Sequence, residues 1–200
     1  MELKQRIRSL QVVFRYRILI HTLLGKLGSR GFLIVPFMIS KNNCPSSSRD
    51  KCGDIKSAWL SPEGLHLLPF GQGDPDSVYR SRLNKGDRCC VVKIADRIIA
   101  YTWVDFHECN CYGRKITLKP NEAYLYDTWV LNRFRGRKIA AALWARCIDS
   151  LTQEGWTDIY VLTDYFNRPA RKLLKRCGMK VVKIGICIQL FRRYCWTYVV

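Results

Sequence analysis

Four cations surround a single glycine in Arg133-Phe-Arg-Gly136-Arg-Lys138, and the chemistry open to such a stretch is the gripping of a polyanion. A glycine lets the backbone approach a bulky anion, and the start of a helix adds unpaired N–H groups and a partial positive charge. Arg133, Arg135, Arg137 and Lys138 add full charges, so the ligand expected there carries several negative charges, with a pyrophosphate the natural size. The spacing is neither GxxxxGK(S/T) nor GxGxxG, which leaves both of those nucleotide classes unsupported. A second reactive group, His107-Glu-Cys109-Asn-Cys111, offers soft ligands. Zinc needs about four, and no CxxC or HxxxH partner accompanies them, so no metal is expected.

The elements flanking the basic turn can be read from periodicity. From Tyr124 to Leu131 the residues alternate with period two and are rich in β-formers, which predicts a strand. From Ile139 the period lengthens, and Ile139, Leu143, Cys147 and Leu151 form one face of a helix that Gly155 follows. The turn therefore joins a strand to a helix. Upstream, Ile55 to Leu60 reads as a strand, and Asp76 or Ser77 caps a helix through Leu83. Arg88 to Ile94 and Ile98 to Phe106 read as an antiparallel hairpin, and residues 107 to 121 as a loop. Downstream come a buried strand from Ile159 to Thr163, a helix capped by Asn167 that ends near Gly178, and two closing strands, Lys180 to Leu190 and Tyr194 to Val200. This succession predicts a mixed α/β domain.

Composition narrows the partners. With 34 Lys and Arg against 16 Asp and Glu, the net charge of +18 favours acidic ones: polyphosphate cofactors, nucleic acid, an anionic membrane or an acidic carrier protein. Ten cysteines show no framework spacing, and Cys89, Cys90, Cys147, Cys177, Cys187 and Cys195 are expected as reduced thiols packed in apolar surroundings. Residues 1–43 read as a basic amphipathic extension, residues 44–54 as a linker, and residues 55–200 as the catalytic-sized domain. The extension lacks an uninterrupted apolar run long enough to span a bilayer and lacks a signal-peptide cleavage pattern. It is expected either to lie on an anionic membrane or partner, or to fold back onto the domain.

Two motifs in order identify a resemblance. Arg133-x-x-Gly136-x-Lys138 resembles the Q/R-x-x-G-x-G/A motif of the GNAT acyltransferase superfamily, with Lys138 where Gly or Ala is usual. Asn167-x-x-Ala170-x-x-Leu173-Leu174-x-x-x-Gly178-Met179 is similar to that family's N-x-x-A-x-x-L-Y-x-x-x-G-F segment, with Leu174 in place of tyrosine. The resemblance spans roughly residues 55–200. It implies a mostly antiparallel central sheet flanked by helices, here with the basic N-terminal extension. It also implies acetyl-CoA or another acyl-CoA as cofactor. The backbone of Trp129, Val130 and Leu131 would hold the pantetheine arm, and the turn from Arg133 through Arg135, Gly136, Arg137, Lys138 and Ile139 to Ala140 the pyrophosphate. Asn167 would contact the cofactor near the strand ends.

The expected activity is transfer of an acyl group from acyl-CoA to an amine acceptor. An ammonium must lose a proton before attack, and Asp127, with Glu122 and Asp105 as weaker choices, is the expected base. Leu174 cannot protonate a leaving thiolate, so Tyr165 is the expected substitute. Tyr124, Tyr126, Trp103 and Trp129 are expected as core or pocket wall. The acceptor pocket is expected from residues 71–84, residues 107–121 and the last strands. The alternatives are an acyltransferase fed by an acidic acyl carrier protein, and a non-catalytic acyl-CoA-binding regulator. A cytoplasmic protein is expected, with residues 1–43 able to hold it at the inner membrane surface.

Overall fold

The computed structural model describes residues 32–42, 57–69, 75–95, 97–112, 114–190 and 194–199. Ten strands occur there: β1 (Phe32–Asn42), β2 (Ser57–Trp59), β3 (Arg88–Ile94), β4 (Arg97–Asp105), β5 (Glu108–Cys111), β6 (Arg114–Thr117), β7 (Glu122–Val130), β8 (Asp158–Asp164), β9 (Met179–Leu190) and β10 (Tyr194–Val199). Three α-helices accompany them, α1 (Pro75–Lys85), α2 (Ile139–Gln153) and α3 (Arg168–Arg176). Eight strands form one sheet in the order β10-β9-β1-β8-β7-β4-β3-β2, and β5 and β6 form a separate hairpin. Every neighbouring pair of the large sheet is antiparallel except β7 and β8. A parallel pair needs a crossover, and α2 supplies it.

The two faces of the sheet carry different covers. The predicted face of α2 is buried as Leu143, Cys147 and Leu151, widened by Ala142, Trp144 and Ile148, and it packs with Leu174 and Cys177 on Leu125, Ile159 and Val161. On the opposite face α1 lays Tyr79 over Tyr101 and Trp103. The β5–β6 hairpin brings Cys111, Tyr112 and Ile116 over Phe37, Ile39 and Cys187 on that same side. Alternation along β7 matches this division: Leu125 faces α2, while Tyr126 packs beneath α1.

Three expectations require correction. Residues 32–42, assigned to the extension, form an interior strand with β8 on one side and β9 on the other. Proline removes a ladder donor and is ordinarily kept out of interior strands, yet Pro36 lies within this one. It is tolerated because β8 pairs only from Phe37 onward, and the Pro36 carbonyl on that side accepts from Tyr165 N–H. Residues 1–31 and the proposed linker 44–54 lie outside the described residues. The segment read as a loop, 107–121, contains the β5–β6 hairpin, whose buried Cys109 and Cys111 gave it an inward face. Cys195 is exposed on β10 rather than packed in the core, while Cys89, Cys90, Cys147, Cys177 and Cys187 are buried free thiols.

Gly185 marks how tightly the inserted strand is seated. A Cβ there would lie 2.3 Å from Phe37 Cζ of β1 and 2.6 Å from the Tyr198 carbonyl oxygen of β10. A backbone oxygen cannot step aside as a flexible side chain can, so Gly185→Ala is expected to destabilise the protein by about 1–3 kcal/mol. Urea unfolding checks this, and an unchanged midpoint would contradict the packing of β9 between β1 and β10.

Candidate active site

The pairing of β7 with β8 runs only from Glu122↔Asp158 to Leu125↔Val161. Past Leu125 the two strands part, although β7 stays on β4 through Ala100↔Val130. Asp127 causes a local break in that second pairing: it is a non-glycine residue at φ +46°, and two residues, Asp127 and Thr128, stand opposite Thr102. This is a β-bulge. The Thr128 hydroxyl pins it, meeting Thr102 Oγ1 at 2.8 Å and accepting from Trp144 Nε1 at 2.9 Å. Beyond the bulge Leu131 N–H donates to the Ile99 carbonyl, so the Leu131 amide is already committed. Alternation turns the backbone of Thr128 and Val130 to the opened edge, where Arg135 Nε reaches the Val130 carbonyl at 3.2 Å.

The basic turn follows directly. A single 3₁₀ turn, Asn132–Phe134, leads to Gly136 at φ +79° and Lys138 at φ +62°, and α2 begins at Ile139. Two left-handed residues are how the chain reverses so sharply, and Lys138 occupies a conformation that glycine adopts far more easily. The helix start has no side-chain cap and no acidic residue in its first turn, while Arg133, Arg135, Arg137 and Lys138 are all exposed around it. First-turn N–H groups together with four cations give an anion-binding arrangement. A Cβ on Gly136 would meet nothing within 4 Å. Its glycine therefore serves the backbone angle and leaves open space above the turn.

On the other face of β7 lies a cleft of about 600 Å³, floored by Tyr124 and Tyr126 and walled by α1 and the β5–β6 hairpin. Four carboxylates line it, Asp87, Asp105, Glu108 and Asp127, against two cations, Arg82 and Lys85. Arg82 lies among the rings of Tyr126 (5.0 Å), Trp103 (5.1 Å) and Tyr79 (5.5 Å) and bonds Asp127 at 2.5 Å. Lys85, one turn further along α1, reaches Asp105 at 2.6 Å and Glu108 at 3.0 Å. The helix then closes in a Schellman motif, with Gly86 N–H on the Leu83 carbonyl and Asp87 N–H on the Arg82 carbonyl. That turn carries Asp87 back to the cleft, where Tyr126 donates its hydroxyl proton to Oδ2 at 2.5 Å. Burial pushes the Asp87 carboxyl above its ordinary value, and the Tyr126 hydrogen bond offsets this only in part.

These features are those of a known family. The sequence matches the model of the Acetyltransferase (GNAT) family over residues 57–179. The chain belongs to this family. Solved structures agree in fold: an acetyltransferase from the GNAT family of Colwellia psychrerythraea is 14% identical with a TM-score of 0.58, over 80% of this chain and 57% of that one. A GCN5-related N-acetyltransferase of Sphaerobacter thermophilus is 15% identical with a TM-score of 0.57, over 85% of this chain and 55% of that one. The match therefore spans somewhat more than half the length of those proteins. Among curated proteins, no sequence matches.

Within this GNAT frame the structure distributes the expected site residues unevenly. Trp129 to Ala140 run as one continuous path from the opened edge of β7 into α2. Asn167 caps α3 by accepting from Ala170 N–H at 3.1 Å, so its side-chain oxygen has a structural partner. Asp127 stands on the bulge at the cleft. Glu122 is at the opposite end of β7, accepting from Lys119 N–H and Tyr160 Oη, and does not join it. Tyr165 follows β8 and packs with Leu174 against the same apolar cluster, under the Arg171 guanidinium at 4.8 Å.

Among cleft residues, Ser81 and Arg82 come from the expected stretch 71–84, Lys85 and Asp87 were not foreseen, and the last strands contribute none of the lining. The hairpin excludes those strands by bonding them: Thr197 Oγ1 and Cys195 Sγ both donate to the Tyr112 carbonyl. The sequence signal for Asp87 was its position directly after the α1-terminating Asn84-Lys-Gly86.

Asp105 links the site to acid stability. Burial alone would raise its carboxyl, but the Lys85 hydrogen bond, with the Glu108 and His107 N–H groups, outweighs this and holds it below the ordinary 3.8. The stabilisation is therefore complete above 3.8 and is lost as pH falls through the lower folded value. Asp105→Asn is expected to cost about 1.5–3 kcal/mol at neutral pH. It should also flatten the acid limb of the stability curve, and parallel acid limbs for variant and wild type would contradict the assignment.

Proposed function

We propose that this protein transfers an acetyl or other acyl group from acyl-CoA to an amine acceptor. The observation that carries the reading is the meeting of two half-sites on one strand: β7 opens beside an uncapped, basic helix start on one side and floors an acidic cleft on the other. When bound, acyl-CoA supplies an activated thioester. The chain's own residues divide the remaining tasks. The turn from Arg133 to Ala140 holds the pyrophosphate through backbone N–H groups and cations. The Thr128 and Val130 backbone at the opened edge of β7 aligns the pantetheine arm.

The acceptor side requires proton removal, since a lysine-like ammonium has a pKa of ~10.4. Asp127, on the bulge and steadied by Arg82, is the proposed base, directly or through a water. Glu122 is too remote along β7 to share that role. Leu174, buried in the apolar cluster, donates no proton, and Tyr165 on the same cluster is the proposed acid. A thiol of pKa ~8.5 is in any case a fair leaving group.

A second reading has one observation in its favour. Arg168, Arg171, Lys172, Lys175 and Arg176 are all exposed on α3, a surface suited to an acidic acyl carrier protein as donor. Competition between CoA-linked and carrier-linked thioesters separates the donors, and thiol release with an amine panel separates either from a non-catalytic binder. No helix among the described residues is long and apolar enough to cross a membrane. A cytoplasmic location, where buried thiols stay reduced, is part of the same proposal.

Gly136→Glu tests the donor half. It places a carboxylate over the turn in open space, at the cost of about 1 kcal/mol for a side chain at positive φ, so the domain stays folded. Calorimetry is expected to show loss of CoA binding with a melting temperature within a few degrees of wild type. Retained wild-type affinity would sink this reading of the turn.

A further inference from the structure

We infer that Tyr126 and Asp87 form a proton relay in the cleft, in which the Tyr126 hydroxyl takes a proton from the acceptor nitrogen as it passes its own to Asp87 Oδ2. The relay supplies a second proton acceptor for the amine-acylation reading above and rests on it. An ammonium that ends as an amide sheds two protons from nitrogen, one before the N–C bond forms and one as the C–S bond breaks. Sulfur takes back one proton, and one passes to water. Asp127 accounts for the first of the two, so a second acceptor is needed within reach of the same nitrogen.

Three further carboxylates line the cleft, Asp87, Asp105 and Glu108, and their partners separate them. Glu108 is held by Lys115 at 2.9 Å and Lys85 at 3.0 Å, and these two bonds lower its carboxyl. Asp105 takes Lys85 at 2.6 Å and the His107 and Glu108 N–H groups, which keep it low against its burial. Carboxylates held as anions in this way accept protons poorly. Asp87 differs. No cation pairs with it among the described residues, it is 3% exposed, and Oδ1 has no hydrogen-bond partner. Burial raises its carboxyl, the Tyr126 bond opposes this, Asp105 on β4 adds to it, and Lys85 and Arg82 on α1 oppose it; the net is upward. His107 stands beside the same turn, its Nε2 3.1 Å from where a Cβ on Gly86 would lie. Among the three, Asp87 is thus the carboxylate that gains most from a proton.

Burial also closes the direct route to it. Oδ1 is buried and Oδ2 meets Tyr126 Oη at 2.5 Å, so the half-buried phenol is what connects Asp87 with the cleft. Burial and the Asp87 bond push the Tyr126 hydroxyl upward, so it releases its proton only as it gains another. Tyr126 directly precedes Asp127 on the bulge, and both line the cleft. Thr128, at the opened edge assigned to the pantetheine arm, is two residues further on. The ring is fixed in place, stacked on Tyr124 at 5.6 Å and lying under the Arg82 guanidinium at 5.0 Å. After transfer Tyr126 is as it began, and Asp87 holds the proton until water removes it.

Thiol release from acetyl-CoA with an amine panel, and infrared titration of the CoA-free full chain, test the relay together. Asp87→Asn keeps an oxygen for Tyr126 but takes up no proton, while Tyr126→Phe keeps the stacked ring and removes the hydroxyl. In each variant, shown to be folded by urea unfolding, kcat is expected to fall about 100-fold with amine KM and CoA affinity unchanged. The double variant should fall no further than either single one, because the two residues act as a unit. Infrared difference spectra of wild type against Asp87→Asn should show a carboxyl band that titrates above the ordinary aspartate value of 3.8. Multiplicative losses in the double variant, a folded Asp87→Asn protein with wild-type kcat, a loss confined to KM, or a band titrating at or below 3.8 would each overturn the relay while leaving acyl transfer standing. Wild-type protein that releases no thiol with any amine would instead defeat the acyl-transfer reading, and the relay with it.

Discussion

The site depends on one limit in the sheet, the short register over which β7 and β8 remain paired. Being parallel, the two strands cannot be joined by a hairpin, so α2 must cross between them. The crossover fixes the start of α2 at the end of β7, which is where the strands part. A helix N-terminus with its unpaired donors is thereby placed beside an open strand edge. The bulge at Asp127 completes the arrangement by changing how β7 sits on β4, held by Thr102, Thr128 and Trp144.

The same strand presents opposite electrostatics to its two ends and faces. Above the turn the charge is uniformly positive and exposed. Beneath α1 and the hairpin it is acidic and partly enclosed. A chain of net charge +18 that gathers four carboxylates in one cleft keeps an exposed basic turn apart from an acidic pocket by geometry. Arg82 and Lys85 make this possible, since each lowers the cost of bringing acidic residues together, and both come from consecutive turns of one helix.

Legibility in the sequence followed the range of the forces concerned. The strand, turn and helix from Ala123 to Leu151 were readable because periodicity, the glycine and the cations are local. So were the Asn167 cap and the hairpin of β3 and β4. The place of β1 was not, because its partners β8 and β9 are more than a hundred residues away. Lys138 looked like an irregularity in a motif; its φ of +62° shows why a small residue suits that position. The β5–β6 hairpin was hidden by a polar outer face that resembles a loop.

By itself, then, the sequence determined the succession of elements and the anion-binding turn, since both rest on contacts between near neighbours along the chain. It also carried the two motifs that mark the family. Tertiary structure alone decided which carboxylates meet. Asp127 and Glu122 lie on one strand yet at opposite ends, while Asp87, Asp105 and Asp127 come from three separate segments and share one cleft. That convergence depends on sheet order and on the turn after α1, and neither leaves a periodic trace in the sequence.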